Sequence, residues 1–425
     1  MVIEIPANKL WAKLTIAVSA LFVCALLAVA MLTQVITGIL TDERVTVSRE
    51  LLASGVRYVS NSAPLQARLA EAEMAEDERD LPSIEARTLR AINLSPWDYN
   101  HHLLLASIKE TSGDRAGAEK ALRSALALAP NNTDVHWRLA NLLLRQSKLT
   151  GSLEEFKKAI SADNSYLPST LELIWRVSGG RLDAVSALAG DKPEAKLLLA
   201  RFLLNQARVA EAGSVFNSID AKARLAIPES SAFIDSLIAK GDLILARYSW
   251  AGTVSASDPA LISNGSFESD ILKGFAQFDW TISRNDYARP SIDSSTFHSG
   301  LRSLRVDFAG RDTTRLDGEI KQLVVVRPGA RYRLECYVKT DALATPEGPR
   351  IAVTNITLQS DIAVSDAVAA GTSDWHLIAI DFVAPQSAQS VVIKIKRVPR
   401  FSYDEPTKGT VWFDDFTLAE QDVRK

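Results

Sequence analysis

The chain has 425 residues, enough for two or three domains that each bury a core of their own. Its apolar fraction of 47% and charged fraction of 23% are ordinary for globular protein, and a formal net charge of −3 argues against the basic surface that nucleic-acid binding needs. Two cysteines, Cys24 and Cys336, lie in segments of opposite character, and the five histidines form no pair at metal-binding helical spacing, so a disulfide framework, a zinc site and a redox pair are excluded.

From Leu14 to Thr41 the chain runs 28 residues without a charge. Roughly 20 helical residues cross the hydrocarbon core of a bilayer, whereas the apolar part of a secretory signal spans about 7–15. Ala28-Val29-Ala30 has the small-residue form of a cleavage site, yet apolar character continues through Val35, Ile36, Ile39 and Leu40. That length favours a retained anchor. Lys9 and Lys13 precede the span, while Asp42, Glu43, Arg44, Arg49 and Glu50 follow it in balance. The asymmetry predicts a cytoplasmic N-terminus and a soluble region outside the cytoplasm, periplasmic or at the cell surface.

Residues 43–254 are expected to form helices, because Ala, Leu, Glu and Arg dominate and apolar residues recur at spacings of three and four. Leu105, Ala106, Leu122 and Ala125 return 34 residues later as Leu139, Ala140, Phe156 and Ala159. One period earlier, Ala72, Ala91 and Pro96 match Ala106, Ala125 and Pro130. The small residues allow two helices to approach, a large one fills the remaining space, and the prolines stop the second helix. From Pro64 to Tyr166 this pattern resembles tetratricopeptide repeats. The register lapses after Tyr166, returns in the offsets of Ala200, Ala212 and Phe216, and a last helical pair includes Ala239, Gly241, Ala246 and Trp250. The resemblance implies an α-solenoid whose groove holds a protein partner. Helices that merely space the next domain from the membrane fit the same pattern.

At Ser255-Ala256-Ser257-Asp258-Pro259 the helical period stops, and residues 255–425 are expected to form a β-sandwich. Expected strands are Ser303–Phe308, Gly318–Val326, Arg331–Thr340, Arg350–Leu358, Trp375–Val383, Ser390–Val398 and Gly409–Leu418. In the third of these, Tyr332, Leu334, Cys336 and Val338 alternate with Arg333, Glu335, Tyr337 and Lys339. Period two assigns the first set to the core and the second to the outer face.

Six short motifs then occur in order. They are Asn264-Gly265-Ser266-Phe267-Glu268, Trp280, His298-Ser299-Gly300, Pro328-Gly329-Ala330-Arg331-Tyr332, Ser373-Asp374-Trp375 and Val411-Trp412-Phe413-Asp414-Asp415-Phe416. Together they resemble the galactose-binding-like jelly roll of carbohydrate-binding modules attached to bacterial cellulases and xylanases. The resemblance implies a structural calcium, with Glu268 and Asp414 at the family's acidic positions, Asp415 adjacent, and carbonyls of the His298-Ser299-Gly300 turn added. Carboxylates and carbonyls are hard oxygen ligands suited to that ion.

Binding of a sugar needs aromatic faces against its C–H surface, with polar side chains reaching the hydroxyls. Tyr337 meets this on the outer face beside Arg333 and Glu335. Phe401 and Tyr403, in a loop with Asp404 and Glu405, are a second candidate, and Tyr287 and Trp412 complete the set. Trp280 and Trp375 are assigned to the core, as the resemblance implies. No phosphate-binding glycine loop, nucleophile elbow or metalloprotease helix is present, and the adjacent Asp414 and Asp415 point to opposite faces of a strand, so a non-catalytic protein is expected. The domain order suggests either a membrane-anchored glycan binder serving surface polysaccharide assembly or export, or a protein-assembly scaffold whose sandwich binds no sugar.

Overall fold

The computed structural model describes residues 10–42, 44–254, 260–311, 315–356, 358–401 and 406–421. Lys9, Glu43, the 255–259 break, Thr357 in the fourth expected strand, and the loop residues Tyr403, Asp404 and Glu405 lie outside the described residues. The chain forms two compact units, residues 1–190 and 191–425. The last five helices therefore group with the sandwich rather than with the earlier helices, a division different from the break in composition near residue 255.

The first unit opens with α1 (Leu10–Thr41), whose apolar window has a mean hydropathy of 2.6 and is uncovered by the rest of the protein. Helices α2 (Arg49–Tyr58), α3 (Ala63–Met74), α4 (Leu81–Leu94), α5 (Tyr99–Thr111), α6 (Arg115–Leu128), α7 (Thr133–Arg145) and α8 (Leu149–Ala162) follow. Their starts are written in the sequence. Ser62, Asp80, Asp98, Asp114 and Asn132 each accept a hydrogen bond from a backbone N–H of the first turn, satisfying donors that the helix leaves open.

The hairpins α3/α4, α5/α6 and α7/α8 realise the repeat. Helices α5 and α7 begin 34 residues apart, as do α6 and α8. Ala91, Ala125 and Ala159 are fully buried at equivalent places, and Leu122 and Phe156 fill the space beside them. Pro96 and Pro130 stand two residues beyond α4 and α6, where helix cannot continue. After a short 3-10 turn (Asn164–Tyr166), α9 (Leu167–Val177) and α10 (Leu182–Ala189) complete the unit.

The second unit begins with α11 (Pro193–Asn205), α12 (Val209–Asn217), α13 (Ala221–Ala226), α14 (Glu229–Ala239) and α15 (Leu243–Val254). Ala200, Ala212, Phe216, Ala246 and Trp250 are buried here, at the positions where the repeat pattern returns. Helix α15 is fastened to the segment that opens the sandwich. The Trp250 indole N–H donates to the Phe275 carbonyl at 2.7 Å, and the Arg247 guanidinium lies 4.7 Å over the Trp250 ring while donating to Ser263 Oγ.

Among the described residues, ten strands form two antiparallel sheets. They are β1 (Thr281–Ile282), β2 (Ala288–Asp293), β3 (Ser303–Ala309), β4 (Leu316–Val325), β5 (Arg331–Ala344), β6 (Arg350–Asn355), β7 (Ser360–Val364), β8 (Gly371–Val383), β9 (Ser390–Arg397) and β10 (Lys408–Gln421). One sheet has the order β1-β4-β9-β6-β7 and the other β2-β3-β10-β5-β8. The core between them includes Trp280, Leu304, Val306, Ile320, Tyr332, Leu334, Cys336, Val338, Ile393 and Phe413. Along β5 the alternation is as read from the sequence: Tyr332, Leu334, Cys336 and Val338 are at most 1% exposed, and burial pushes the Cys336 thiol up.

Candidate functional site

The motifs that open and close the sandwich meet at one knot. Gly265 lies directly against β10 where that strand's register shifts, its carbonyl accepting the Phe416 N–H at 2.9 Å. Asn264 before it and Phe267 two residues after it take left-handed backbone, at φ 50° and 57°, and the Phe267 ring packs inward against Trp280 and Phe416. Trp280 is fully buried and donates its indole N–H to the Asn264 carbonyl at 3.1 Å, the core role expected of it.

Three carboxylates tie the turn that precedes β3 to this knot. Asp414 is fully buried and accepts the backbone N–H groups of His298 at 2.8 Å, Ser299 at 3.3 Å and its own neighbour Asp415 at 2.7 Å. Burial pushes its carboxyl up to about 6, against the downward pull of those donors. Asp415, at φ 50°, points elsewhere: it accepts from His298 Nδ1 at 2.6 Å and from the hydroxyls of Ser299 and Ser266 at 2.7 Å. Burial works against ionisation there too, but the His298, Ser299 and Ser266 bonds prevail and hold Asp415 below the usual carboxylate range. Glu268 Oε1 accepts the N–H groups of Leu301 and Arg302 at 2.8 and 2.9 Å.

These are the three residues that the family resemblance assigns to calcium, and their oxygen chemistry suits that ion. In the structure the Asp414 and Asp415 oxygens and Glu268 Oε1 accept from N–H and O–H groups of the chain, and among the described residues no group of three His, Cys, Asp or Glu side chains is placed to hold an ion. These donors close the knot. Chelation with EDTA is accordingly expected to leave the melting temperature of the protein unchanged. A fall on chelation, restored by added calcium, would mean that an ion replaces these hydrogen bonds.

The same turn builds an aromatic cluster on the outer face of the β2-β3-β10-β5-β8 sheet. The His298 ring stacks on Tyr337, with centroids 3.6 Å apart and planes 12° from parallel, and meets Trp375 edge-on at 5.7 Å. Tyr337 stands on β5 opposite Asp414 of β10 and Leu377 of β8, and Leu377 is exposed. Around it, Arg333 forks between Glu335 at 2.6 Å and Asp381 at 3.1 Å, while Lys339 reaches Asp374 at 2.8 Å. Tyr337, Arg333 and Glu335 are thus brought together as the strand period predicts.

The other candidates sit apart from this cluster. Trp412 is on the same face but only 7% exposed, its indole N–H given to Asp293 at 2.8 Å and Arg305 lying 5.7 Å from its ring centre. Tyr287 is half-buried beside the edge strand β2, three strand spacings from β5, or about 14 Å. Phe401 is exposed, with the Arg400 guanidinium 5.5 Å over its ring, and its expected partner Tyr403 is outside the described residues.

Two residues of the cluster have roles that the sequence does not foretell. Trp375, assigned to the core, lies half-buried beside His298, two residues before the exposed Leu377 and on the same outward side of β8. His298 is legible in the sequence only as part of a turn. Its ring contact with Tyr337, remote along the chain, leaves no trace in residue spacing.

In the first unit, α3, α5 and α7 line a continuous groove. One part, a cavity of about 420 Å³, is bounded by residues including Leu103, Ser107, Glu110, Trp137, Asn141 and Arg145. The next, about 360 Å³, shares Leu103, Ser107 and Arg138 with it and extends to Arg68, His101 and Thr41.

Fold and site together define a class: helical-hairpin repeats followed by a jelly-roll sandwich carrying an aromatic outer face. Residues 103–166 match the family described as tetratricopeptide repeat, and residues 259–399 match the family described as carbohydrate binding domain. No curated protein sequence matches the chain. Among solved structures, the MamA protein is 16% identical over 36% of this chain and 87% of its own, with a TM-score of 0.32. A structure described as CBM4 is 19% identical over 38% of this chain and 99% of its own, TM-score 0.28. The Clostridium thermocellum xylanase 10B CBM22-1–GH10 modules, complexed with xylohexaose, are 15% identical over 37% of this chain and 28% of theirs, TM-score 0.26.

Proposed function

We propose that this protein is a non-catalytic, membrane-anchored component of the cell envelope that binds a glycan through its C-terminal sandwich. The observation that carries this reading is the Tyr337–His298–Trp375 cluster, on the outer face of a sandwich that matches a carbohydrate binding domain. Aromatic rings supply the apolar platform that a pyranose face needs, and the surrounding Arg333, Glu335, Lys339 and Asp381 supply donors and acceptors at hydroxyl reach. The α1 span supports the anchor, with the soluble region outside the cytoplasm, and the groove across α3, α5 and α7 supports a protein partner. Such an arrangement suits surface polysaccharide assembly or export.

Affinity electrophoresis of the detergent-solubilised full chain, through gels containing xylan, mixed-linkage glucan or galactan, tests the sugar. Retardation by at least one polymer is expected, with retardation reduced on Tyr337→Ala by about tenfold in affinity, the loss of one stacking platform with its hydrogen bond.

A second reading rests on an observation of its own. Arg333 and Glu335 are already paired, one face of Tyr337 is covered by His298, and Trp412 is buried, which suits a rigid end module of a protein scaffold. Under that reading no polysaccharide retards the protein, and Arg138→Ala in the helical groove weakens capture of a defined partner.

A further inference from the structure

Among the described residues, the two large apolar side chains most open to solvent are neither in α1 nor in the sandwich. They are Tyr58, 89% exposed at the end of α2, and Trp97, 83% exposed in the turn between α4 and α5. Neither is needed to fold its own hairpin, since each ring stands clear of the packed face. Exposing rings of this size to water forgoes the gain that burial of an aromatic side chain brings.

Both lie at the edge from which α1 departs. Leu40, in the last turn of α1, is 7% exposed and packs with Leu52, Leu65 and Leu69, and its Cδ1 lies only 2.7 Å from where a Cβ on Gly55 would be. The end of α1 is therefore built into the first hairpins rather than tethered to them. Thr41, the residue after it, lines the same cavity as Pro64 at the start of α3 and as Asp98, Asn100 and His101 at the start of α5. Arg90, one turn before the end of α4, donates to Asn61 in the loop after Tyr58 at 3.3 Å. The α2–α3 loop, the α4–α5 turn and the exit of α1 thus share one edge of the helical unit. Leu94, exposed at the end of α4, and Arg57, exposed beside Tyr58, belong to it as well.

The occupant of this edge follows from α1. Its uncharged stretch from Leu14 to Thr41 is 28 residues long, about 42 Å of helix, against roughly 40–45 Å for a bilayer with its headgroups. When that stretch spans, Thr41 comes out at headgroup level and the edge beside it comes with it. Tryptophan and tyrosine are the side chains that settle at that level, an apolar ring facing the acyl boundary and a polar tip facing water, with arginine beside them for lipid phosphate.

We propose that the edge formed by Tyr58, Leu94 and Trp97 rests on the bilayer that α1 crosses, the two rings entering the headgroup layer. The helical unit is then held at a fixed attitude, with the Thr41 end of its groove at the membrane surface. This inference rests on the reading of α1 as a membrane span.

The test uses the full chain reconstituted in vesicles of phosphatidylcholine and phosphatidylglycerol, three to one, with or without lipid brominated near the head of the acyl chain. Subtracting the fluorescence of Trp97→Phe from that of the parent isolates the Trp97 signal from that of the other tryptophans. Tyr58→Trp in the Trp97→Phe background reports on the second site, and Ser112→Trp in the same background reports on the α5–α6 turn at the far end of the hairpin. At 1.5 Å per residue along α5, that turn is about 20 Å away. The expected result is that brominated lipid removes at least half of the Trp97 and position-58 signals, aqueous iodide leaves them nearly untouched, and the position-112 signal behaves the opposite way.

Iodide quenching at positions 58 and 97 equal to that at 112, without bromine quenching, overturns the proposal. Shielding from both quenchers overturns it as well, since a protein would then cover the edge. Alkaline carbonate extraction keeps the two readings apart. Release of the chain from the vesicles refutes the anchor itself, whereas retained protein with water-exposed Trp97 refutes only the resting edge.

Discussion

Gly265→Ala is expected to cost the sandwich about 4 kcal/mol or more, placing it in the small class of severely destabilising substitutions. A Cβ at this position would stand 2.1 Å from the Phe416 carbonyl oxygen and 3.1 Å from its carbon. Both are backbone atoms of β10, which cannot rotate away as a side chain could. Relief requires the opening segment to lift from the closing strand, and lifting breaks the Phe416 N–H bond to the Gly265 carbonyl. It also separates Phe267 and Trp280 from Phe416, whose rings meet at 6.1 and 4.8 Å. Thermal unfolding of the full chain should show the sandwich transition shifted down or lost, with far-ultraviolet helical signal from residues 1–190 retained. An unchanged transition would mean that the two ends of the sandwich do not meet in this way.

Asp414→Ala is the second large effect, about 3 kcal/mol or more at neutral pH. The substitution strands the backbone N–H groups of His298, Ser299 and Asp415 at a buried place, and each unsatisfied donor costs about 1–3 kcal/mol, offset in part by entry of water. The pH dependence has a defined sign. Burial holds the folded carboxyl at about 6, above an unfolded value near 3.9. Folding therefore takes up a proton between those values, and this group's contribution to stability grows as pH falls from about 7 to 4. Asp415, held low by His298 and the two serines, acts with the opposite sign and loses its contribution only as pH drops through its depressed value. The difference in unfolding free energy between parent and Asp414→Ala should accordingly widen as pH is lowered from 7 to 5. A constant difference across that range would remove Asp414 from the account of the knot.

The aromatic cluster hangs on the same turn. His298 gives its backbone N–H to Asp414 and its ring to Tyr337, so the fold's closure and the outer face share a residue. Loss of Asp414 is therefore expected to loosen Tyr337's surroundings as well as the core, whereas Tyr337→Ala touches only the face.

How much of this is legible in the sequence depends on whether the signal is local. Strands β3, β4, β5, β6, β8, β9 and β10 coincide with β-rich runs separated by turn signals, and their starts can be read to within a few residues. The three that escape, β1, β2 and β7, all lie outside that pattern at the sheet edges. Edge strands pair on one side only, so they can be short, as β1 is, or carry Pro290, as β2 does. Such residues read as loop. In the helical part, the 34-residue spacing survives wherever loops keep their length. It blurs at α3, which begins 36 residues before α5 because the loop 75–80 is longer than its equivalents.

The site is legible in halves. Strand period puts Tyr337, Arg333 and Glu335 on one face, and the structure keeps them there. The same period cannot show that Arg333 and Glu335 pair with each other, that Trp412 is covered by Arg305, or that Trp375 lies against His298. Those facts depend mostly on contacts between residues tens of positions apart or more. The calcium ligands are named by resemblance alone, and the arrangement of Asp414, Asp415 and Glu268 around N–H and O–H donors is a property of the folded knot that no motif states.

The most direct measurement is a glycan array probed with the full chain in nanodiscs, with Tyr337→Ala run beside it. A glycan-binding sandwich gives a defined set of bound structures sharing one sugar unit, and Tyr337→Ala loses about tenfold or more of that affinity while keeping the parent's melting temperature. A blank array, or binding that Tyr337→Ala leaves intact, contradicts the assignment of sugar recognition to this face.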